Sequence, residues 1–485
     1  RARLGKADWR SAARYLFLER GHWIFWVFWA VSAGVLTLWL LAEWPGSLTN
    51  DGMDVWMQSI TLDFNNWHPY PYAIFILALR QIADTPAAVS IAQILMTASL
   101  GSFIFYSLLY LDGRRAILPV APFFLLFVLS VPVGVSTITC SKDALFSLLV
   151  VFWAFFLFYA SYRKGRGSPI GFTPASIFVL SFLFIAACLL RHNGIIMLVA
   201  LPLFLWGARL MPPKRLGQFI AISAFLFAMG YYVVANVLGV HKKTDYQRME
   251  FVHVGNQIAA LFAAGGYYSD DYDRDRKTIE KLIFVDDIKK HFVPNTQILW
   301  DTGEHDYGRR YYTLSRRERQ DIINLYYTRA LPNLHIIMAE RADTFFSALG
   351  FGGYTFFYAN AFRSPEYWSS PDFKLLPGFI YSPKSDALNR IADRLIMRAS
   401  TYRGVRSGAF IYRNLFFPFC CILAAAALYK WIPSTALAAL FLMVQMLLLF
   451  IAMPGPDFRY MYYVYLSGFF LFPMAVIEAL HPRRG

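Results

Sequence analysis

Charged residues are scarce in this chain. Only 16% of its 485 residues are Asp, Glu, Lys or Arg, whereas 57% are hydrophobic and 18% are aromatic. A soluble globular domain carries roughly 25% charged residues, so this composition excludes an ordinary soluble protein. Several apolar runs instead approach the roughly 20 residues that a helix needs to cross the hydrocarbon of a bilayer. The sequence therefore predicts an all-α polytopic membrane protein.

Cysteine is also rare, and the positions of the four cysteines exclude two further classes. Cys140, Cys188, Cys420 and Cys421 all lie in or beside predicted spans, so the large polar stretch of the chain contains none. No disulfide framework is indicated, and no Cys/His set has the spacing of a zinc site. The chain therefore resembles neither a small secreted disulfide scaffold nor a zinc-binding module.

Basic residues are in excess, with a formal net charge of +15, but their positions argue against nucleic acid as a partner. Hydropathy predicts about ten spans, at residues 22–43, 87–111, 116–134, 144–162, 175–190, 194–211, 217–239, 409–429, 434–453 and 461–479. With the N-terminus inside, the inner segments hold 17 Lys and Arg, against four in the short outer segments. This is the positive-inside asymmetry, which puts both termini in the cytoplasm. The basic excess therefore reflects topology, with anionic membrane lipid as the partner.

The spans divide the chain into four predicted parts. Residues 1–21 alternate basic and aromatic side chains, as in a cytoplasmic amphipathic segment on the membrane surface, with a frayed polar tail as the alternative. Residues 22–239 form a transmembrane core that includes a first outer loop at 44–86. Residues 240–408 form a mostly helical periplasmic domain, because apolar residues recur there at three- and four-residue spacing. Residues 409–485 hold the C-terminal spans.

The outer loops carry the candidate chemistry. The first loop, TNDGMDVWMQSITLDFNNWHPYPY, brings Asp51 and Asp54 together with Trp67 and His68, although carboxylates are costly near a bilayer. The four outer basic residues are Arg80, Lys142, Arg191 and Arg459, and the last three adjoin other polar groups, namely Asp143, His192 with Asn193, and Tyr460. A single charge at a span end is usually a snorkelling anchor. Convergent charges of both signs instead favour an anionic substrate and phosphate chemistry at the outer face.

Four stretches then carry a resemblance to a known superfamily. DGMDVWMQSITLDFNNWHP, SKDALF, RHNG and FRYMY occur in this order, with the polar insert before the last spans. Together they resemble bacterial GT-C glycosyltransferases that use polyprenyl-phosphate sugars, in which the first loop runs as Asp-x-x-Asp followed by Trp-His-Pro. The stretch HPYPY departs from that pattern, where a second proline directly after the first is expected. The resemblance implies a GT-C-like transmembrane bundle in the bacterial inner membrane, with a periplasmic active site.

The resemblance also implies what the chain does. Such enzymes pass a sugar from a polyprenyl-phosphate donor to an acceptor hydroxyl with inversion, and the acceptor here is open among a glycolipid, a polysaccharide and a surface protein. Asp51 matches the loop carboxylate and is the expected general base. Asp54, one helical turn later, is expected to share its face and to orient or tune it. The structural alternative is that Asn50 or Asp51 only caps a helix starting at Gly52.

The remaining polar residues are expected to bind the donor phosphate. Arg191 with His192, and Arg459 with Tyr460, form the predicted clamp because arginine grips phosphate with two hydrogen bonds. Lys142 is a third cation, unless its neighbour Asp143 simply neutralises it. The other site candidates are Trp67, His68 and Asn193. No metal site or other cofactor is predicted with certainty, although two Asp and one His leave Mg²⁺ or Mn²⁺ open.

Two other functions stay open from the sequence. One is an outer-face glycan ligase or polymerase of the O-antigen ligase type, which would rest on Arg and His rather than on a first-loop carboxylate. The other is a transporter, which would carry ionisable residues inside its spans near the midplane. The predicted span interiors hold almost no charge, which argues against transport.

Overall fold

The computed structural model describes residues 22–112, 116–293, 305, 307–350, 381–400 and 415–480. Within these residues the regular structure is helical apart from one pair of two-residue strands. This confirms the predicted all-α class. The predicted amphipathic segment at 1–21 lies outside the described residues.

The described residues fall into two compact units. Residues 22–243, 381–445 and 461–480 belong to the first, and residues 244–350 and 446–460 to the second, each within its described parts. The predicted insert at 240–408 therefore does not coincide with one unit. Its stretch 381–400 packs with the first unit because Ser382 and Lys384 donate backbone N–H groups to the carbonyls of Trp44 and Leu41.

The first unit contains most of the apolar helices. Up to residue 243 they are α1 (Trp23–Ala42), α2 (Asn50–Thr61), α3 (Tyr70–Arg80), α4 (Pro86–Asp112), α5 (Ile117–Leu129), α6 (Val131–Ile138), α7 (Lys142–Gly165), α8 (Pro174–Leu190), α9 (Met197–Gly207), α10 (Pro213–Ala228), α11 (Ala235–Val237) and α12 (Val240–Lys243). Strands β1 (Ser47–Leu48) and β2 (Thr139–Cys140) lie before α2 and α7. A π-helical segment, Met229–Val234, joins α10 to α11.

The second unit and the C-terminal part supply the remaining helices. They are α13 (Tyr246–Ala263), α14 (Tyr272–Ile279), α15 (Val285–His291), α16 (Tyr307–Thr313), α17 (Arg316–Arg329), α18 (Leu334–Ala348), α19 (Asp386–Ser400), α20 (Phe416–Ala427), α21 (Pro433–Ala452) and α22 (Tyr462–Leu480). Helices α13 to α18 lie in the stretch that was expected to be mostly helical, and their buried apolar residues form a core of their own. In that unit the buried Arg341 binds its neighbour Glu340 at 2.5 Å and donates to the Met453 carbonyl at 2.6 Å.

Six helices among the described residues are long and apolar enough to span a membrane. They are Trp23–Ala42, Pro86–Leu111, Lys142–Gly165, Pro213–Val237, Pro433–Ala452 and Phe458–Leu480. The pair α5 and α6, bent by 51° at Ser130, counts as a seventh if it forms one broken span. The three other predicted spans coincide with shorter apolar helices, Pro174–Leu190, His192–Gly207 and Phe416–Ala427. The described part of the chain thus has several candidate spans, and the predicted count of ten stays a prediction.

Helix α7 is the central helix of the first unit. In its most apolar 18-residue stretch 94% of the residues are buried, and the helix packs against α4, α8 and α22. A helix that is apolar on all sides must be surrounded by other helices or by lipid, and here other helices surround it. Its first residues, Lys142 and Asp143, are buried as well. Two charged side chains therefore stand at the N-terminus of the most enclosed helix, where each needs a partner of opposite charge.

Candidate active site

A short parallel strand pair joins two distant parts of the sequence. Ser47 pairs with Thr139 and Leu48 with Cys140, so β1 and β2 lie side by side. Helix α2 begins two residues after β1, and helix α7 begins two residues after β2. The N-termini of both helices are therefore brought together, which puts the first-loop carboxylates next to the SKDALF stretch.

Buried polar side chains hold this strand pair in place. The side-chain amide of Gln93, from α4, donates to the carbonyls of Thr137 and Thr139 at 2.8 and 2.7 Å. The Tyr72 hydroxyl donates to Gln93 Oε1 at 3.0 Å, and Ser90 Oγ donates to the Ile138 carbonyl at 2.9 Å. These contacts satisfy backbone carbonyls at the break between α6 and α7, which would otherwise be buried without donors.

A glycine allows the close approach of the two segments. A Cβ added to Gly52 would lie 2.4 Å from the Cys140 carbonyl oxygen and 3.3 Å from Thr49 Oγ1. Any larger residue would push α2 away from β2, because the obstructing atom is backbone and cannot swing aside. Gly52 therefore belongs to the site through its lack of a side chain.

The start of α2 corrects the capping alternative. The helix begins at Asn50, and its cap is Thr49, whose Oγ1 accepts from the Gly52 backbone N–H at 3.0 Å. The expectation that Asn50 or Asp51 caps a helix starting at Gly52 is wrong, because Thr49 already fills that position. Asp51 instead lies in the first turn, where the helix dipole favours a carboxylate.

Four side chains meet between α2, α3 and α7, and we call them the Asp51 group. His68 Nε2 lies 3.7 Å from Asp51 Oδ1 and 3.9 Å from Asp54 Oδ2. Lys142 Nζ lies 3.5 Å from Asp51 Oδ2 and 3.2 Å from His68 Nδ1. The side chains of His68 and Lys142 are each 10% exposed, whereas those of Asp51 and Asp54 are 27% and 44% exposed. The side formed by His68 and Lys142 is therefore buried, and the carboxylate side is open to a ligand.

The contact between Lys142 and His68 specifies the imidazole tautomer. A lysine ammonium can only donate, so His68 Nδ1 must accept from it and carry no proton. The imidazole proton then lies on Nε2, the nitrogen that faces both carboxylates. His68 thus connects Lys142 to Asp51 and Asp54. Asp54 is held in addition by Gln58, whose Nε2 donates to Asp54 Oδ2 at 2.8 Å.

A second pair of charges lies beside the Asp51 group along the chain. Arg191 Nη1 and Asp143 Oδ1 are 2.7 Å apart, and their side chains are only 9% and 5% exposed. The Arg191 guanidinium also lies 5.5 Å from the centre of the Phe146 ring. Arg191 was expected to clamp the donor phosphate. In the structure its side chain is buried beside Asp143, and its part in phosphate binding stays a prediction.

The expectation for Asp143 changes accordingly. It was the possible neutraliser of Lys142, but it binds Arg191, and Lys142 turns to Asp51 and His68. His192 and Asn193, in a 3-10 helix at His192–Ile196, are exposed and half-buried respectively. Trp67 is half-buried with its ring edge-on to His68, at a centroid distance of 6.3 Å. These three candidates therefore lie beside charged members of the site in sequence, and their roles stay predictions.

The other half of the predicted clamp belongs to the second unit. Arg459 Nε lies 2.7 Å from Asp457 Oδ2, and the Arg459 guanidinium lies 5.2 Å from the centre of the Tyr460 ring. The Arg459 backbone N–H also donates to Asp457 Oδ1 at 3.1 Å. Arg459 and Tyr460 thus form a local arrangement with Asp457, and their part in phosphate binding stays a prediction.

Two further charges of the first loop are used for anchoring. Arg80 donates to Asp84 at 2.6 Å and to the Ser59 carbonyl at 2.7 Å, which ties α3 to α2. Asp63 and Lys243 form an exposed pair at 2.5 Å. The Tyr70 hydroxyl, at the start of α3, donates to the Gly230 carbonyl in the π-helical segment. The first loop is therefore fixed at several points around the Asp51 group.

The Asp51 group does not fit a divalent metal ion. Within the part of the chain that the structure describes, no group of three or more His, Cys, Asp or Glu is arranged to hold one. The Lys142 ammonium contacts both His68 Nδ1 and Asp51, so a positive charge already compensates the carboxylates. The reaction derived below therefore uses no metal ion.

Sequence reasoning missed the residues that assemble the site. Thr49, Gly52 and Gln93 carry no reactive chemistry, and a strand pair of two residues leaves no pattern in the sequence. Gln93 offered one signal, because a lone amide in an apolar span usually has a buried partner. Comparison of the chain with protein families, with curated proteins and with solved structures finds no match.

Proposed function

We propose that the chain is an integral membrane glycosyltransferase of the GT-C type, which moves a sugar from a polyprenyl-phosphate donor to an acceptor hydroxyl with inversion. The observation that carries the proposal is the Asp51 group itself. A partly exposed carboxylate lies within 3.5 Å of a buried lysine ammonium. A base and a phosphate-binding cation at this spacing suit attack at a carbon whose leaving group is a phosphate.

In the proposed reaction Asp51 takes the proton of the acceptor hydroxyl as its oxygen attacks the anomeric carbon. The bond between that carbon and the phosphate oxygen breaks, and the lipid phosphate leaves with the electron pair. Lys142 stabilises the charge that develops on the departing phosphate. Asp54, fixed by Gln58, orients His68 and keeps the negative charge on the open side. The proton on Asp51 then passes to solvent.

The two alternatives receive less support from the same residues. A ligase of the O-antigen type would depend on an arginine accessible to the substrate, but Arg191 is buried against Asp143 at 2.7 Å. A transporter would need ionisable groups along its path, whereas every Asp, Glu, Lys and Arg of the six candidate spans lies within three residues of a span end. The acceptor class stays open among a glycolipid, a polysaccharide and a surface protein.

A donor panel tests the proposal. The purified full chain in detergent is incubated with polyprenyl-phosphate sugars and candidate acceptors, and the products are identified by mass spectrometry. We expect one donor to give a glycosylated acceptor and free polyprenyl phosphate, with loss of both in Asp51→Asn. Absence of product from every donor, or full activity in Asp51→Asn, contradicts the proposal.

We further propose that the chain lies in the bacterial inner membrane with its active site in the periplasm, on the basis of the basic residues in the predicted inner segments. A Gly266→Cys variant should react in intact cells with an impermeant thiol reagent, because a Cβ there has open space. An Arg166→Cys variant should react only after lysis, since Arg166 is exposed but lies in an inner segment. Replacing the half-buried Cys420 and Cys421 by Ala removes the background. The reverse labelling pattern contradicts the orientation.

A further inference from the structure

We propose that Lys142 exchanges partners during the reaction: the donor phosphate takes the ammonium from Asp51, so that donor binding releases the general base. The inference rests on the proposed function for the identity of the donor, and it adds an order of events to it. Lys142 contacts Asp51 at 3.5 Å and His68 at 3.2 Å. The same lysine is therefore the binding group for an incoming anion and the partner of the base.

The position of Lys142 makes its charge dependent on anions. It is the first residue of α7, and the N-terminus of a helix is the positive end of its dipole. Its side chain is 10% exposed, so water compensates little of the charge. The adjacent Asp143 is held by Arg191 at 2.7 Å. Asp51 is therefore the carboxylate that compensates Lys142, and a phosphate can serve in its place.

The contact between Lys142 and Asp51 is suited to exchange. At 3.5 Å it exceeds the 2.7–2.9 Å of a charge-assisted hydrogen bond, whereas Arg191 and Asp143 lie only 2.7 Å apart. The Asp51 side chain is 27% exposed, so a ligand can reach the gap from the open side. His68 keeps Lys142 directed toward that gap through its Nδ1. Lys142 can therefore change its anionic partner without moving the buried imidazole.

The exchange has a chemical consequence for the base. A carboxylate in contact with an ammonium attracts a proton less strongly than one that is not. When the phosphate binds Lys142, Asp51 loses that contact and gains a nearby negative charge, and both changes favour proton uptake. The acceptor hydroxyl is therefore deprotonated only when the donor is in place. This order prevents Asp51 from taking the acceptor proton before a donor is bound.

Binding of farnesyl phosphate to the full chain in detergent tests the exchange, with isothermal titration calorimetry as the readout. Lys142→Met should weaken binding at least about tenfold, as expected for loss of a desolvated charge pair. Asp51→Asn should tighten binding about three- to fivefold, since it removes the competitor for the ammonium. Asp54→Asn is the matched control, because it removes an equal charge from the same helix at a residue that lies 3.9 Å from His68 Nε2. It should tighten binding less than Asp51→Asn does.

A double-mutant cycle separates exchange from general charge repulsion. In a Lys142→Met background, Asp51→Asn should no longer tighten binding beyond the Asp54→Asn effect. If Lys142→Met does not fold, the cycle is omitted. The comparison of Asp51→Asn with Asp54→Asn, both with Lys142 in place, then decides alone. Equal effects of Asp51→Asn and Asp54→Asn, or no tightening by Asp51→Asn, overturn the exchange.

Two further ligands identify what the lysine recognises. Farnesol should bind without dependence on Lys142, and inorganic phosphate should bind far more weakly than farnesyl phosphate if the ligand is a lipid phosphate. Equal binding of inorganic phosphate indicates a free-phosphate site and overturns the assignment to the donor. Exchange with no sugar transfer from any donor would contradict the proposed function alone. Transfer that requires Asp51, without tighter binding in Asp51→Asn, would contradict the exchange alone.

Discussion

Two groups of oppositely charged side chains begin at adjacent residues of α7, and they differ in spacing and in exposure to solvent. Asp143 and Arg191 are 2.7 Å apart, with side chains at most 9% exposed. Lys142 lies 3.5 Å from Asp51, whose side chain is 27% exposed. The opposite charges of the first pair compensate each other, and both side chains are shut off from solvent. The second is loose and opens toward solvent on its carboxylate side.

The difference teaches which charges can act on a ligand. A short buried pair would have to give up its own compensation before it bound anything else, and that costs several kcal/mol. In the Asp51 group the charges are farther apart and the carboxylates are partly exposed, so a further anion can approach Lys142. From the sequence both Lys142 and Arg191 were cations next to an aspartate, and only their surroundings tell them apart.

The largest effect is expected for the open group. Asp51→Asn should lower the turnover number for sugar transfer about 10²–10⁴-fold, the usual contribution of a general base. Thr49 caps α2, so the substitution removes a proton acceptor without removing the cap. Asp54→Asn should be less severe, because Asp54 acts through His68. Product formation per minute, measured on equal amounts of folded protein, gives the comparison, and Asp63→Asn on the same loop is the control. A fully active Asp51→Asn protein would move the base elsewhere.

The closed pair should show its effect on stability. Arg191→Ala should lower the free energy of unfolding by about 3–5 kcal/mol, because Asp143 would stay buried without its partner. Lys142→Ala should cost less, since Asp51 can be hydrated from the open side. Thermal unfolding of the two variants in detergent compares them directly. A more stable Arg191→Ala protein than Lys142→Ala protein would invert the assignment of the two groups.

The contact between the two helix starts can be disturbed without changing a charge. Gly52→Ala would bring a Cβ to 2.4 Å from the Cys140 carbonyl oxygen. Overpacking of this kind costs typically 1–3 kcal/mol, and it should separate Asp51 from Lys142 and reduce transfer. Gly34→Ala is the matched control, because nothing lies within 4 Å of a Cβ at Gly34 in α1. Unchanged stability and transfer in Gly52→Ala would show that the strand pair is not needed for the site.

Much of the architecture could be predicted because its signals are local. Apolar runs predicted the all-α class and the long helices, and helical periodicity predicted that the polar insert is mostly helical. These features depend on neighbours a few residues apart, so the sequence displays them directly.

The pairing of charges could not be predicted, because it depends on contacts between distant segments. Lys142 is 74 residues from His68, and the strand pair that joins their surroundings has two residues a side. Adjacent positions suggested that Asp143 neutralises Lys142. Side chains of neighbouring helical residues point in different directions, however, and Asp143 faces Arg191 instead. Local order therefore suggested a pair of Lys142 with Asp143, whereas the structure pairs Asp143 with Arg191 and Lys142 with Asp51.

The smallest effect is expected where a pair is short but exposed. Asp63 and Lys243 are 2.5 Å apart, closer than Asp143 and Arg191, yet their side chains are 65% and 44% exposed. If burial rather than distance sets the value of a pair, Lys243→Ala should lower the free energy of unfolding by less than about 1 kcal/mol. The loss should shrink further in 1 M salt, because the Debye length falls to about 3 Å there. Thermal unfolding at low and high salt, with Arg191→Ala measured alongside, checks both points. A loss for Lys243→Ala as large as that for Arg191→Ala would mean that distance alone separates the closed pair from the open group.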